Sequence, residues 1–248
     1  MTNPVPNQSS VVRWRPALRQ GVRRGVRLLC RATLRVMGVR VRLKGAVPRE
    51  PALYLANHLS WLDIVAILAR CDCTFVAKRE VRQWPLVGWL ATIMGVVWID
   101  RTRKRDLLRA IPHLEATLRA GTSVLLFPEG TTSTGRQLLP FKSALVEGAV
   151  RAGVAVVPLA VTAAALPPSD ALYWTGEETL LHSIPRVVQL VEPRVTLHAA
   201  PPVAWQASRK WLTQLAREAI ARRTVGGAIT ERQRIATGNR TAVTAVAS

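Results

Sequence analysis

The apolar positions along the chain follow two alternating periods. Short apolar runs between polar or glycine-containing turns predict strands at 39–43, 52–56, 74–77, 96–99, 123–127, 154–161 and 195–198. Between them, a period near 3.6 residues predicts helices at 61–70, 84–92, 103–119, 143–152 and 208–223. Strands that alternate with helices indicate an α/β fold, so we expect a single domain over residues 38–223 with a mixed, mostly parallel sheet flanked by helices.

The segment before this domain is strongly basic and amphipathic. Residues 11–37 carry eight arginines interleaved with an apolar stripe at helical spacing. Such a helix can lie in the headgroup plane of an anionic bilayer, or it can dock its stripe on the protein core. The arginine density favours the membrane alternative. Residues 1–10 read as a flexible tail, and residues 224–248 lose periodicity and read as a disordered tail.

Charge narrows the classes of partner. The 248 residues carry a net charge of +20, which leaves nucleic acid, an anionic leaflet and an acidic substrate open. The longest uncharged apolar runs fall short of the roughly 18 to 20 residues of a spanning helix, so we expect a peripheral protein. Three cysteines without CxxC spacing argue against a disulfide framework or a zinc site and fit a reducing compartment.

A histidine and an aspartate follow the second predicted strand. His58 lies where a loop should leave the sheet, and Asp63 lies five residues later at the start of a helix. A carboxylate against one imidazole nitrogen would leave the other nitrogen as a proton acceptor, which is the base and orienter of a catalytic triad without its nucleophile. The alternative is a histidine satisfied by a cap or a core carbonyl.

Two later segments carry further polar chemistry. After the strand at 123–127, the turn Glu129-Gly130-Thr131-Thr132-Ser133 presents a carboxylate, a glycine and three hydroxyls, which can hold a phosphate or a polar headgroup. The strand at 96–99 delivers Asp100 and Arg101, and an arginine there can bind a phosphate through two parallel hydrogen bonds. Taken separately, these segments can also be an ordinary turn and a surface ion pair.

Read in order, these segments resemble the glycerolipid acyltransferase family. The family's His-x-x-x-x-Asp block is matched at residues 57–63. Its Gly-x-x-Phe-Ile-Asp-Arg block is matched at 95–101, with Trp98 where phenylalanine is usual. Its Phe-Pro-Glu-Gly-Thr-x-Ser block is matched at 127–133, and its hydrophobic strand around a proline at 156–161. The resemblance covers roughly residues 40–205, and four ordered blocks are a specific signal.

The resemblance implies direct acyl transfer without an acyl-enzyme. His58 is then the general base and Asp63 its orienter, while Arg101 and Glu129 are expected to bind the acceptor headgroup together with residues of the third block and one later lysine: Gly130, Thr131, Thr132, Ser133 and Lys142. The first acceptor implied is 1-acyl-sn-glycerol 3-phosphate. Phosphatidate-forming members usually have arginine at the position of Thr132, so lyso-ornithine lipid or another lysolipid is the alternative acceptor.

The resemblance also implies the partners. Acyl-CoA or acyl carrier protein would supply the acyl group as co-substrate, and neither a resident cofactor nor a metal is expected. The expected place is the cytoplasmic face of the bacterial cell membrane, bound peripherally to an anionic surface without nucleic acid. The rival classes are a basic, non-catalytic membrane- or nucleic-acid-binding protein and a thioester hydrolase. The absence of a zinc spacing, an RNA-recognition motif or a helix-turn-helix in the sequence weighs against nucleic acid.

Overall fold

Seven strands form one sheet in the computed structural model, which describes residues 16–100, 103–174 and 180–236. The strands are β1 Arg40–Lys44, β2 Ala52–Ala56, β3 Cys73–Lys78, β4 Val97–Ile99, β5 Ser123–Leu126, β6 Ala155–Ala164 and β7 Arg194–Ala199. Their order is β1-β7-β6-β2-β5-β3-β4, and every neighbouring pair is parallel except β6 and β7. The predicted mixed, mostly parallel α/β sheet is therefore confirmed.

Helices cover both faces of this sheet. They are α1 Pro16–Val36, α2 Trp61–Arg70, α3 Val87–Ile93, α4 Lys104–Arg119, α5 Glu147–Ala152, α6 Leu180–Val188 and α7 Arg209–Ala236, with 3₁₀ turns at Arg79–Gln83, Ala144–Val146 and Asp170–Leu172. Helices α1, α2, α3 and α6 contribute to one hydrophobic cluster, on what we call the first face. Helices α4, α5 and α7 contribute to the other cluster, on the second face. Strand β2 is buried throughout and sends alternate side chains into the two clusters.

Helix α1 docks on the protein core and still exposes apolar residues. Val26, Cys30 and Leu34 are buried in the first-face cluster, and Arg23 binds the Asp72 carboxylate at 3.1 Å. Four other apolar side chains point outward, namely Leu18, Leu28, Leu29 and Val36. Of the two alternatives for this helix, the structure shows the one in which an apolar stripe docks on the protein core. A second apolar strip of the helix remains on the surface. Residues 11–15 of the predicted helix lie outside the described residues.

Two helices differ from the prediction because of proline. The helix predicted at 84–92 begins instead with a tight turn at Pro85, and α3 starts only at Val87, since proline has no N–H to continue a helical ladder. A 3₁₀ turn, Arg79–Gln83, precedes this turn. Helix α6, which contains Pro185, was not predicted at all. In the described ranges, none of the helices is both long and apolar enough to span a bilayer.

The C-terminal helix is longer than predicted. Helix α7 was expected to end at residue 223, but it continues to Ala236, so the tail expected from residue 224 is helical over its first part. The apolar stripe that packs on the core ends near residue 223, but the arginine, glutamate, glutamine and alanine residues of 224–236 have high helix propensity, so the helix continues. Residues 237–248 and 1–10 lie outside the described residues.

The three cysteines are separate, buried thiols. Cys30, Cys71 and Cys73 are all free and buried beneath the first-face helices. Burial raises the pKa of Cys30 and of Cys71 to about 11, because a thiolate is poorly solvated there. At neutral pH these side chains therefore behave as small apolar groups.

Candidate active site

The first and third sequence blocks meet at one edge of the sheet. Strands β2 and β5 are parallel neighbours, with Leu55 opposite Leu126, so the loops that follow them leave the sheet side by side. His58 is carried by the loop after β2, and Glu129 by the loop after β5. The carboxyl ends of parallel strands are the usual place for a site in an α/β fold.

His58 and Asp63 form the predicted pair. The His58 Nδ1 lies 3.0 Å from the Asp63 Oδ2. An ionised carboxylate only accepts hydrogen bonds, so the neutral imidazole carries its proton on Nδ1 and leaves the Nε2 lone pair free to take one. The geometry is therefore that of a general base with its orienting carboxylate.

The backbone fixes the Asp63 carboxylate. Asp63 is 1% exposed, and its Oδ2 also accepts the N–H of Leu59 at 2.5 Å and of Ser60 at 2.9 Å. Ser60 is the N-cap of α2, and its hydroxyl accepts the Leu62 N–H. Ser60 and Asp63 together form a capping box, in which each side chain bonds the backbone of the other residue. Asp63, in the first turn of the helix, therefore both bonds the N-cap backbone and orients His58, so the loop and the helix terminus form one unit.

The His58 ring is stacked on one side and still reaches solvent. It lies 3.9 Å from the Phe127 ring, centroid to centroid, with an angle of 15° between the planes. The His58 side chain is 14% exposed. The imidazole is therefore confined by an aromatic wall and a carboxylate without being sealed in the core.

Glu129 is buried against the backbone of the histidine loop. Its Oε1 accepts the His58 N–H at 2.9 Å, and its Oε2 accepts the Leu139 N–H at 3.1 Å. Burial raises the pKa of Glu129, and the two backbone hydrogen bonds oppose that shift because they favour the carboxylate. The sequence predicts that this carboxylate binds a headgroup. In the structure, each of its oxygens accepts one main-chain N–H.

Two more residues hold the same loop. The Ser133 N–H donates to the His58 carbonyl oxygen at 2.8 Å. The buried Asn57 amide makes two hydrogen bonds with the backbone of Val161 in β6, at 2.9 Å from its Nδ2 and 2.7 Å to its Oδ1. His58 is therefore tied to β6 on one side and to the third block on the other.

Other predicted residues lie around the third block. Gly130 has φ of +78°, and its Cβ, if it had one, would lie 3.1 Å from the Lys142 Nζ, so the lysine ammonium sits over this turn. Thr131 is exposed and Thr132 is half-buried. Arg101 lies outside the described residues.

The structure also places residues that the motifs did not single out. Phe127 belongs to the third block, and its place two residues before Glu129 is a sequence signal that marks it as a neighbour of the site. The Arg217 guanidinium of α7 donates to the carbonyl oxygens of Leu138 and Leu139, at 3.3 and 3.5 Å, and so supports the loop that Glu129 holds. No sequence pattern indicated this contact, which joins residues almost 80 positions apart. Among the described residues, no cluster of His, Cys, Asp and Glu is suited to a metal ion.

Comparison with known proteins agrees with the four sequence blocks. The family described as Acyltransferase matches residues 38–162, which include the histidine, the aspartate and the glutamate of the site. The chain is 37% identical over 183 residues to a lyso-ornithine lipid O-acyltransferase of Pseudomonas aeruginosa, which covers 73% of this chain and 70% of that protein. It is 38% identical over 140 residues to a 1-acyl-sn-glycerol-3-phosphate acyltransferase of Neisseria meningitidis, which covers 56% of this chain and 55% of that one.

A solved structure shares the fold. The crystal structure of the 1-acyl-sn-glycerophosphate acyltransferase from Thermotoga maritima superposes with a TM-score of 0.62 at 22% identity, and covers 84% of this chain and 82% of that one. The chain spans 70% of the Pseudomonas relative and just over half of the Neisseria relative. With the family match over half of its length, this chain belongs to the acyltransferase family.

Proposed function

We propose that the protein transfers a fatty acyl group from acyl-CoA or acyl carrier protein to the free hydroxyl of 1-acyl-sn-glycerol 3-phosphate, forming phosphatidic acid. The observation that carries the proposal is the hydrogen bond between His58 Nδ1 and Asp63 Oδ2, which leaves Nε2 as a base at the sheet edge. The match to the acyltransferase family and the name of the Neisseria relative support the same reaction.

The reaction balances with these two residues. The acceptor hydroxyl oxygen attacks the thioester carbonyl carbon while its proton passes to His58 Nε2. Asp63 stabilises the imidazolium that forms. The tetrahedral intermediate then expels the carrier thiolate, which takes the proton back from the imidazolium. General base catalysis of this type typically contributes about 10² to 10⁴ in rate.

The oxyanion of the intermediate needs hydrogen-bond donors. The N–H groups of His58, Leu59 and Ser60 already donate to carboxylates. Ser133 N–H donates to a carbonyl oxygen. The backbone amides at residues 131–132 remain beside the histidine loop, and we propose that they face the oxyanion or the acceptor headgroup.

We assign Glu129 a positioning role within this mechanism. Both of its oxygens accept main-chain N–H groups, one of them that of His58, and the residue is buried. A carboxylate bonded in this way fixes the position of the His58 imidazole and does not select the acceptor headgroup. Its removal should therefore lower kcat more than it raises the KM for the acceptor.

Lys142 is the proposed anchor for the acceptor's anionic group. Its ammonium lies over the turn at Gly130, and Thr131 and Thr132 follow directly in the chain. A phosphate or a carboxylate fits this combination of one cation and two hydroxyl donors. Arg101, which follows β4, remains a candidate for the same group on sequence grounds.

A second acceptor, lyso-ornithine lipid, is favoured by a specific residue. Thr132 stands where an arginine is usual in phosphatidate-forming members, and an ornithine headgroup offers a carboxylate in place of a phosphate. The Pseudomonas relative named for this acceptor matches more of the present chain than the Neisseria relative does. Both acceptors are lipids, so either reaction places the protein at a membrane surface, which we expect to be the cytoplasmic leaflet.

One experiment separates these functions. Purified protein is given a labelled acyl-CoA, or labelled acyl carrier protein, with lysophosphatidate, lyso-ornithine lipid or no acceptor, and the lipid products are resolved. Label in phosphatidate supports the first acceptor, and label in ornithine lipid supports the second. Label released only as free fatty acid, with or without acceptor, would contradict the proposal and identify a thioester hydrolase.

A further inference from the structure

The segment at 79–93 presents apolar side chains to solvent at the sheet edge that carries the site. It comprises the 3₁₀ turn Arg79–Gln83, a tight turn and α3, and it begins where β3 ends. Leu86 is 80% exposed and Trp89 is 66% exposed, with Trp84 and Val87 exposed beside them. Strand β3 is parallel to β5, so the segment leaves the sheet at the same edge as the His58 and Glu129 loops.

The backbone holds the exposed leucine in an unfavourable conformation. Leu86 has φ of +61° and ψ of −51°, and the Val87 N–H donates to the Pro85 carbonyl oxygen at 2.6 Å. This is the γ-turn with positive φ, which is rare and strained for a residue with a side chain. Strained residues that persist in a fold concentrate at functional positions. Here the strain serves to keep an apolar side chain outside the core.

The underside of the segment is rigid. A Cβ at Gly88 would lie 2.0 Å from the Arg82 carbonyl oxygen, so the two arms of the turn pack backbone to backbone. The Gly88 N–H donates to the Trp84 carbonyl oxygen at 2.9 Å. Ala91 and Met94 anchor the second arm in the first-face cluster. The exposed residues therefore sit on a preformed projection rather than on a loosely held loop.

Charge around the projection indicates its partner. Lys78 and Arg82 are exposed at its base, and Arg79 beside them binds the Asp106 carboxylate at 2.5 Å, while Glu80 is the only acidic residue between 78 and 93. An apolar tip with exposed basic side chains on the arm that precedes it matches the hydrocarbon and the anionic headgroups of a bilayer. Tryptophan is also a residue that favours the membrane–water interface.

We propose that the 79–93 segment inserts its tip, Trp84 to Trp89, into an anionic lipid bilayer and so docks the active-site edge on the membrane. The proposal rests on the proposed function, because a lysolipid acceptor resides in that bilayer. Insertion at this edge brings the acceptor hydroxyl to the His58 side of the sheet without requiring the lipid to leave the interface completely.

The test is vesicle binding by the full chain, without acyl donor or acceptor. Binding to phosphatidylcholine vesicles is compared with binding to vesicles containing about one third phosphatidylglycerol. The variant Leu86→Glu/Trp89→Glu is paired with Leu108→Glu/Trp211→Glu, which adds the same charge at residues that are 63% and 51% exposed on second-face helices. We expect at least a ten-fold loss of binding to the anionic vesicles for the first variant and less than a two-fold loss for the second.

Further arms separate the alternatives. Leu86→Ser/Trp89→Ser removes the apolar tip without adding charge, and it should weaken vesicle binding several-fold while circular dichroism and Tm stay near those of the parent. Acyl transfer to an acceptor dispersed in detergent micelles should stay within about two-fold of the parent. Equal loss in the two charged variants, or unchanged binding of the first, would overturn docking by this segment. Equal binding of the parent to neutral and anionic vesicles would overturn the anionic partner.

The two proposals fail in different ways. A loss of transfer in micelles with intact vesicle binding would overturn docking and place the segment in the acyl-binding wall. If the parent shows no transfer to any acceptor, the vesicle result still stands, because no reaction enters it.

Discussion

The two faces of the sheet are built alike but present different surfaces. Each has a cluster of buried aliphatic residues, and strand β2 contributes to both. Of the 13 large apolar side chains exposed in the described residues, ten belong to α1, to the 79–93 segment, or to α6 and the turn after it, all on the first face. Helices α4 and α7 expose one each, and the last, Trp205, precedes α7.

The chemistry follows the same division. Asp63 belongs to α2, and the His58 ring stacks on Phe127 of the first-face cluster. The second face contributes a support, since Arg217 of α7 holds the loop whose Leu139 N–H binds Glu129. We therefore propose that the first face contacts the substrate and the membrane, while the second face supports the sheet and the histidine loop.

The largest effect should come from the carboxylate on the first face. In Asp63→Asn, the amide oxygen can stay where Oδ2 accepts His58 Nδ1–H and two backbone N–H groups, but the neutral amide no longer stabilises the imidazolium that forms when Nε2 takes the proton. We expect kcat to fall about 10² to 10⁴-fold, measured with labelled acyl thioester.

The control for this variant is its fold. Ser60 still caps α2 in Asp63→Asn, so circular dichroism should be unchanged and Tm should fall only modestly. Retention of a tenth or more of parental kcat would contradict the assigned role of the carboxylate.

A core substitution on the second face should act on stability and leave the chemistry alone. Leu114 of α4 is fully buried, with its Cδ2 2.3 Å from where a Cβ would stand on Gly148 of α5. Leu114→Ala should reduce the free energy of unfolding by about 2 to 5 kcal/mol, through lost burial and the cavity left behind.

Denaturant unfolding measures that loss of stability, and the activity per folded molecule is measured alongside it. We expect kcat within about two-fold of the parent at a temperature where the variant is folded. A large drop in kcat with little loss of stability would break the division between a working face and a supporting face.

The link between the faces is Glu129, and its removal should have an intermediate effect. In Glu129→Gln only one side-chain oxygen can accept, so the N–H of His58 or of Leu139 loses its partner and the histidine loop shifts. We expect kcat to fall about ten-fold, in line with the loss of one hydrogen bond to a charged group. The KM for the acceptor should change by less than about two-fold. A raised KM with unchanged kcat would restore the headgroup role that the sequence suggested.

The same variant should change how stability depends on pH. Burial raises the pKa of Glu129 above that of an ordinary glutamate, so the folded state binds this proton more tightly than the unfolded state does. The stability that this proton contributes is fully present below the ordinary glutamate pKa and is lost as pH rises through the raised value. The parent's unfolding free energy, taken relative to Glu129→Gln, should therefore decline across that window in denaturant titrations. A rising difference would mean that the pKa is lowered instead.

The smallest effect should come from the strained leucine at the exposed tip. Leu86→Gly relieves a positive φ, a strain of about 1 to 3 kcal/mol, against a loss of about 0.5 to 1 kcal/mol from the flexibility of glycine in the unfolded chain. We expect a net stabilisation of about 1 kcal/mol in chemical denaturation. The same change at Leu108, which lies in the regular helix α4, should destabilise by a similar amount. Equal destabilisation at both positions would contradict the claim that the backbone at Leu86 is strained.

Much of this architecture could be predicted from the sequence. Strand β2 and helix α2 lie at the predicted residues, because an unbroken apolar run precedes a serine cap and a helical stripe. The local signals left the pairing of His58 with Asp63 as one of two alternatives, and the resemblance to the family favoured it. The antiparallel placement of β7 could not, since strand direction depends on long-range pairing.

The partners of Glu129 were also beyond local signals. A carboxylate in a glycine-containing turn reads as a ligand for substrate, and only the path of residues 130–139 shows that the Leu139 N–H returns to it. The tight turn at Leu86 could not be predicted for a related reason. Pro85 and Gly88 indicate that the helix is interrupted, but they do not determine the backbone conformation of the interruption.

The most direct test of the account is the transfer rate of folded His58→Ala. The ring is 14% exposed, and its stacking on Phe127 is a small part of the core, so the variant should fold with near-parental circular dichroism. We predict that labelled acyl transfer to the acceptor found for the parent falls at least about 100-fold, with vesicle binding unchanged. A folded variant that keeps more than about a tenth of parental transfer would contradict the role of His58 as the general base.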